Sequence, residues 1–133
     1  MTRFVIDPPA LLAIVRAGAP VHPGHQLVAP HAIRTTALEL LLAEVEAGTL
    51  GEAEALALHE SMTAVKIRTL DDRVSRGTAW KLARKHGWDS LGDAEYLAVG
   101  VLQADALVAL DAQLTARATG IVPLAPLPAL FSE

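Results

Sequence analysis

The sequence predicts an α/β fold, a three-layer α/β/α sandwich around a mostly parallel sheet of four or five strands. Short apolar runs of strand length alternate with helix-length segments along the whole chain, as a parallel sheet with crossover helices requires. One of these runs, residues 106–110, is apolar at every position. Such a continuous run is typical of a strand that is buried on both faces, and it therefore favours a parallel sheet.

The predicted elements follow in chain order. Residues 3–6 form the first strand, which ends at Asp7, and Pro9 opens a helix because proline in the first helical turn forfeits no hydrogen bond. Ser90 and Asp93 form an S-x-x-D capping pattern before a later helix. The remaining predictions are strands at 26–30, 66–70, 106–110 and 120–124, and helices at 30–47, 52–66, 75–86, 93–103 and from Asp111 onward.

Length and composition restrict the class of protein. A chain of 133 residues is expected to form one domain, 1–133, with a core that needs no disulfides or structural metal. The absence of Cys excludes disulfides, thiolate catalysis and Cys-ligated zinc. A mean hydropathy of +0.35 argues against disorder. No apolar run reaches the roughly 18 residues of a membrane helix, so no membrane partner is expected.

The first nineteen residues contain Arg3, an apolar run and small residues, as a signal peptide does, but Asp7-Pro8-Pro9 interrupts the apolar segment. We therefore expect this segment to belong to the mature protein and the protein to be cytoplasmic.

Charge is distributed unevenly along the chain. The net charge is −4, but residues 66–86 hold seven of the eleven Lys and Arg residues against two acids, a local +5 that leaves −9 on the remainder. A basic strip on an acidic body is a candidate phosphate-binding surface, although such a strip is also found on ordinary solvated helices. The candidate RNA-binding residues are Arg73, Arg76, Lys81, Arg84 and Lys85.

Three acids stand where predicted elements begin or end. Asp7 and Asp111 each follow a strand and precede a helix, and Asp93 begins the helix before the last of those strands. Carboxyl ends of parallel strands meet at one edge, where ligands bind in open α/β sheets. The acids either cap their helices or converge on a cation, and oxygen ligands would suit Mg²⁺ or Mn²⁺.

Several other motifs carry little information. His22 and His25 form an H-x-x-H pair without the further ligands that zinc requires. The chain lacks both the dinucleotide-binding and P-loop glycine patterns and a G-x-S-x-G nucleophile motif. A helix-turn-helix interpretation of residues 75–103 is weak, because the second helix would bring Asp93 and Glu95 to the DNA phosphates.

Almost the whole chain resembles the PIN domain, the metal-dependent nuclease fold that includes the VapC-type toxins of bacterial toxin–antitoxin pairs. The segments "FVIDPPALLAIV" and "LVAPHAIRTTALELL" are similar to the family's first two strand–helix units. The most specific similarity lies in "DAEYLA", which begins at Asp93, and in "LVALD", which ends at Asp111. The resemblance implies that Asp7, Asp93 and Asp111 are metal-binding, catalytic carboxylates.

One position departs from the family pattern. The family usually has an acid, most often Glu, in the helix after the second strand, and the corresponding residue here is Thr36. A hydroxyl can hold a water of a hydrated metal but cannot replace a carboxylate's charge. Glu39, three residues further on, lies about 5–6 Å away and could substitute, or it could be an ordinary exposed helix residue.

Three functional hypotheses follow. The first, implied by the resemblance, is a Mg²⁺- or Mn²⁺-dependent ribonuclease, the toxin half of a toxin–antitoxin pair, with RNA as substrate and an antitoxin protein or a second copy of the chain as partners. The second, motivated by Thr36, is a PIN-like protein with weakened or lost catalysis that binds RNA or protein. The third is an α/β domain whose acids are only helix caps.

Overall fold

The computed structural model describes all 133 residues and contains four strands and six α-helices. The strands are β1 (Thr2–Ile6), β2 (His25–Pro30), β3 (Arg68–Leu70) and β4 (Ala106–Val108). The helices are α1 (Pro8–Ala17), α2 (Ile33–Glu46), α3 (Glu52–Thr63), α4 (Arg73–His86), α5 (Gly92–Gln103) and α6 (Ala112–Ala118). A short 3₁₀ helix, Leu127–Phe131, follows near the end of the chain.

All strand pairs of the single sheet are parallel, in the order β3-β2-β1-β4. In the register, Val5 of β1 lies between Val28 of β2 and Leu107 of β4. The chain adds strands toward one side up to β3 and then crosses back to place β4 beside β1. The strand order therefore reverses between β1 and β4, and the carboxyl ends of these two strands form the crevice where parallel sheets bind ligands.

The sheet lies between two groups of helices. Helices α1, α2 and α3 pack against one another. Helix α5 packs across β1 and β2 and also contacts α4 and α6. The apolar residues of β1 and β4 are buried, including Val5, Ile6, Leu107 and Val108. This arrangement confirms the predicted three-layer α/β/α class and the parallel sheet. None of the helices combines the length and the hydropathy that a membrane crossing needs.

Two strand predictions are wrong in extent. β4 ends at Val108 rather than at residue 110, because the backbone N–H groups of Leu110 and Asp111 turn to the Asp7 carboxylate. The predicted strand 120–124 is reduced to a single parallel bridge between Leu107 and Leu124. Pro123 has no N–H to contribute to a ladder, so this segment cannot extend as a strand.

The starts of α2, α4 and α5 also differ from the prediction, and α4 begins at Arg73 rather than at Ser75. Pro30 stays in β2, opposite Leu70 of β3, and α2 begins only at Ile33. Helix α5 begins at Gly92 after Leu91, without a side-chain cap, so the predicted Ser90–Asp93 capping box does not form. Gly87 ends α4 as predicted, in the left-handed conformation that glycine adopts without strain.

A glycine in α5 permits the close approach of the segment that follows α6. A Cβ atom on Gly100 would lie 2.8 Å from Cγ2 and 3.1 Å from Cγ1 of Val122, and 3.4 Å from Cγ1 of Val5. Val122 and Val5 are both buried, and their β-branched side chains have little rotamer freedom. The contact therefore depends on the missing methyl group.

We expect Gly100→Ala to lower the free energy of unfolding by about 1–3 kcal/mol, because overpacking outweighs the gain in helix propensity. Gly77→Ala is the matched control, since a Cβ there meets nothing within 4 Å. It should stabilise the protein by about 0.5–1 kcal/mol. Urea denaturation of both variants tests the pair, and a Gly100→Ala protein as stable as Gly77→Ala would contradict this packing argument.

Candidate metal centre at the carboxyl edge of the sheet

Asp7 follows β1 and is almost completely buried, with 1% of its surface exposed. Its Oδ1 accepts the backbone N–H of Ala10 at 2.9 Å and so caps α1. Its Oδ2 accepts the N–H groups of Leu110 at 3.1 Å and Asp111 at 3.0 Å. The carboxylate therefore joins the end of β1 to the turn that follows β4, across the point where the strand order reverses.

Asp111 and Asp93 lie at the same edge. Asp111 caps α6 by accepting the N–H of Leu114 at 2.9 Å through Oδ2. Asp93 lies in the first turn of α5 and caps no helix through a hydrogen bond. Capping thus accounts for Asp7 and Asp111 in part, but it does not account for Asp93.

A cluster that the sequence prediction missed holds Asp93. The guanidinium of Arg117, on α6, donates to Asp93 Oδ2 at 3.1 Å in a partly buried ion pair. Arg117 also lies over the ring of Trp88, 4.8 Å from its centroid, and Trp88 stacks on His86 at 4.9 Å. Asp93 and Arg117 are 24 positions apart, and no local sequence pattern links them.

Burial and like charges disfavour ionisation at this edge. Burial raises the pKa of Asp7, against the lowering effect of its three backbone hydrogen bonds, and the charge of Asp111 raises it further. Burial also raises the pKa of Asp93, where Arg117 lowers it and Asp111 raises it. The pKa of the Tyr96 hydroxyl is raised by burial and by Asp7, Glu95 and Asp93. The carboxylates therefore form one electrostatically coupled group.

Whether a cation can bind at this edge depends on the carboxylate oxygens that accept no hydrogen bond from the protein. No three His, Asp or Glu side chains stand close enough to hold one ion together. However, neither Asp93 Oδ1 nor Asp111 Oδ1 accepts a protein hydrogen bond, and Asp7 Oδ1 accepts only one. Mg²⁺ commonly keeps several waters and binds through one or two carboxylates. Asp93 and Asp111 are therefore the residues that could hold a hydrated Mg²⁺ or Mn²⁺ at this edge.

Thr36 follows the strand that neighbours β1 and lies toward this edge as well. Thr36 is half-buried in the first turns of α2, which follow the carboxyl end of β2. Glu39 is exposed and lies nearly opposite the buried face formed by Ile33, Ala37 and Leu41. Its position is that of an ordinary exposed helix residue.

The basic residues of α4 are exposed on one helix whose first turn lies near Glu95 of α5. The start of α4 follows β3, and the charge of Asp71 contributes to the raised pKa of Glu95 in the first turn of α5. Arg76 pairs with Asp71 at 3.1 Å. The other cations of the helix form no ion pair, namely Arg73, Lys81, Arg84 and Lys85.

A concavity of about 1160 Å³ lies away from this edge, near the starts of β2 and β3. His22 and His25 line it with their rings 5.1 Å apart. His22 Nδ1 accepts the N–H of Gly24, and no third ligand joins the two rings in a metal-binding group. The H-x-x-H pair is thus part of the loop structure.

A change at Asp111 tests the coupling of the acids. A carboxyl group whose pKa is raised on folding contributes most to stability below its unfolded pKa, near 4, and this contribution is lost as pH rises through the folded value. Asp111→Asn keeps a good N-cap but removes the charge that raises the pKa of Asp7 and Asp93. The variant should therefore lose less stability than the natural protein between about pH 4 and pH 7, by up to about 1 kcal/mol.

Denaturant unfolding in EDTA at several pH values measures this difference. Asp89→Asn, at an exposed position just before α5, serves as the control and should follow the natural protein. An Asp111→Asn curve parallel to that of the natural protein would show that the acids are not coupled.

Comparison with known proteins gives a structural match only. No family model matches the chain, and no curated protein sequence matches it. The crystal structure of PAE2754 from Pyrobaculum aerophilum is similar to it, with a TM-score of 0.71 and 22% identity over 98% of this chain and 93% of that one. The likeness extends over the whole fold of both chains and supports the α/β architecture, and at this level of identity it supports the fold alone.

Proposed function

We propose that this protein is a Mg²⁺- or Mn²⁺-dependent ribonuclease of the PIN type, the toxin of a toxin–antitoxin pair. The observation that carries the proposal is the convergence of Asp7, Asp93 and Asp111 at the crevice between β1 and β4. A cation beside Asp93 and Asp111 would offset the repulsion by which Asp111 raises the pKa of Asp7 and of Asp93, at the ligand-binding edge of a parallel sheet.

Each side chain has a defined part in this proposal. Asp7, fixed by three backbone N–H groups, supplies a rigid negative charge and holds the turn that carries Asp111. Asp93 and Asp111 offer the unengaged oxygens. The cation, when bound, supplies Lewis acidity toward a phosphate and makes water a better nucleophile. Arg117 balances Asp93 and keeps that carboxylate oriented.

The substrate and partners follow from the charge distribution and from the resemblance. Arg73, Arg76, Lys81, Arg84 and Lys85 would bind the RNA backbone through their positive charge. As a toxin the protein would act in the cytoplasm and be held inactive by an antitoxin protein. A second copy of the chain is a further partner that the resemblance implies.

A binding protein without catalysis is the second candidate, and two observations favour it. Thr36 stands where the resembled family has an acid, and Arg117 already occupies one oxygen of Asp93. Both features lower the negative charge available to a cation. Under this alternative the same fold binds RNA or protein but does not cleave.

Cleavage of labelled single-stranded RNA by the purified protein tests the enzyme proposal. Cleavage should need added Mg²⁺ or Mn²⁺, stop in EDTA, and fall roughly 100-fold or more in Asp93→Asn and Asp111→Asn, since each variant removes charge beside the reacting phosphate. Asp89→Asn, an exposed acid outside the cluster, should cleave normally.

Circular dichroism shows whether each variant is folded. Metal-independent cleavage, or equal rates in Asp93→Asn and Asp89→Asn, would overturn the proposal. No cleavage with either metal by the folded natural protein would favour the binding protein.

Restoring the family acid tests why activity would be weak. Thr36→Glu should tighten Mn²⁺ binding about tenfold, equivalent to about 1.4 kcal/mol, because it adds a charge near the partly dehydrated site. It should also accelerate cleavage. Thr36→Gln is the matched control and should do neither. If Glu39 already serves, Glu39→Gln should weaken Mn²⁺ binding, whereas its exposed position predicts no change. Calorimetric titration with Mn²⁺ measures each outcome.

A Thr36→Glu protein that binds Mn²⁺ no better than Thr36→Gln would show that position 36 does not face the metal site. A Thr36→Glu protein that binds Mn²⁺ but remains inert would favour the binding protein.

A further inference from the structure

Trp80 lies on the outer face of α4 with 61% of its surface exposed. The neighbouring side chains on this face are cationic, and α4 contains no acid. Helical spacing places Arg76 and Arg84 one turn to either side of Trp80, and Arg73 two turns before it. Gly77, one turn before Trp80, leaves open space beside the indole.

The two tryptophans of the chain differ in their surroundings. The ring of Trp88 is engaged by His86 and by Arg117. Trp80 forms no aromatic pair and no cation–π contact within the protein. Exposing a large apolar ring to water is unfavourable, and tryptophan is enriched at interaction surfaces. The faces of the Trp80 ring are therefore available to a partner.

The charge around Trp80 selects the chemistry of that partner. Four of the five basic residues on α4 form no ion pair, on a chain whose remainder is strongly acidic. A polyanion is therefore attracted to this face and repelled elsewhere. An aromatic ring among cations is the combination that binds single-stranded nucleic acids, since phosphates meet the cations and an unstacked base lies on the ring.

We propose that Trp80 is a base-stacking platform for single-stranded RNA, with Arg73, Arg76 and Arg84 holding the phosphates on either side. This inference rests on the proposed function, because it names the form in which the RNA substrate is bound. The first turn of α4 follows the carboxyl end of β3 and lies near Glu95 in the first turn of α5, and Trp80 lies about 10 Å further along the helix axis. A single strand that extends along α4 from this edge of the sheet reaches Trp80.

Fluorescence anisotropy with a labelled single-stranded RNA, and with the same strand in a duplex, tests the inference in EDTA, where no metal-dependent cleavage takes place. Trp80→Ala should weaken binding to the single strand about tenfold or more. Trp80→Phe should retain most of the affinity. Duplex binding should be unchanged in Trp80→Ala, because paired bases cannot stack on the ring.

Val74→Ala is the matched control, since Val74 is an apolar residue of the same helix with 58% exposure. It should bind RNA like the natural protein. Unchanged single-strand binding by Trp80→Ala, or equal losses for single strand and duplex, would overturn the inference. Equal losses in Trp80→Ala and Val74→Ala, together with loss of a dimer in sedimentation, would assign this face to a second copy instead.

The same experiments separate this inference from the proposed function. Single-strand binding that depends on Trp80, without cleavage in Mg²⁺ or Mn²⁺, would overturn the nuclease and leave the stacking platform in place. Metal-dependent cleavage by a Trp80→Ala protein with unchanged RNA affinity would do the reverse.

Discussion

The carboxylate of Asp7 joins three parts of the fold that are distant in the chain. It ends β1, begins α1 through the N–H of Ala10, and receives the N–H groups of Leu110 and Asp111 from the turn after β4. A buried carboxylate without partners would be strongly destabilising, and three backbone donors offset that cost. The geometry of the candidate metal centre depends on these bonds, because they fix where Asp111 begins α6.

The acids at this edge therefore have a structural part, and the pKa values of Asp7 and Asp93 are also raised. Two of them cap helices, yet capping does not remove the mutual repulsion that Asp111 exerts on Asp7 and Asp93. Arg117 offsets part of this repulsion by pairing with Asp93, and its guanidinium lies over the ring of Trp88. The result is a sheet edge that carries negative charge and unengaged carboxylate oxygens, and a separate helix that carries five of the eleven Lys and Arg residues and no acid. The acids of the proposed metal centre and the cations of the proposed RNA-binding surface thus lie on separate elements.

Local patterns in the sequence account for much of this arrangement. Apolar strands followed at once by an acid and a helix predict a parallel sheet, and parallel neighbours bring Asp7 and Asp111 to one edge whatever the details of packing. The pairing of Arg117 with Asp93 could not be predicted, because it depends on how α6 packs against α5. The early end of β4 could not be predicted for a related reason. The carboxylate of Asp7, more than 100 positions away, accepts the N–H groups of Leu110 and Asp111. The exposed position of Glu39 depends on which face of α2 meets the core.

The single bridge between β4 and the segment around Leu124 protects an open edge of the sheet. Leu107 donates its N–H to the carbonyl of Pro123 and accepts the N–H of Ala125, so the middle of β4 has its outward hydrogen bonds filled. Pro126 follows the bridge on the outward-facing side and lacks the N–H group that an incoming strand from another molecule would need. A regular fifth strand would have exposed a row of unpaired backbone N–H and C=O groups to solvent. The proline-interrupted segment closes this side of the sheet against edge-to-edge aggregation.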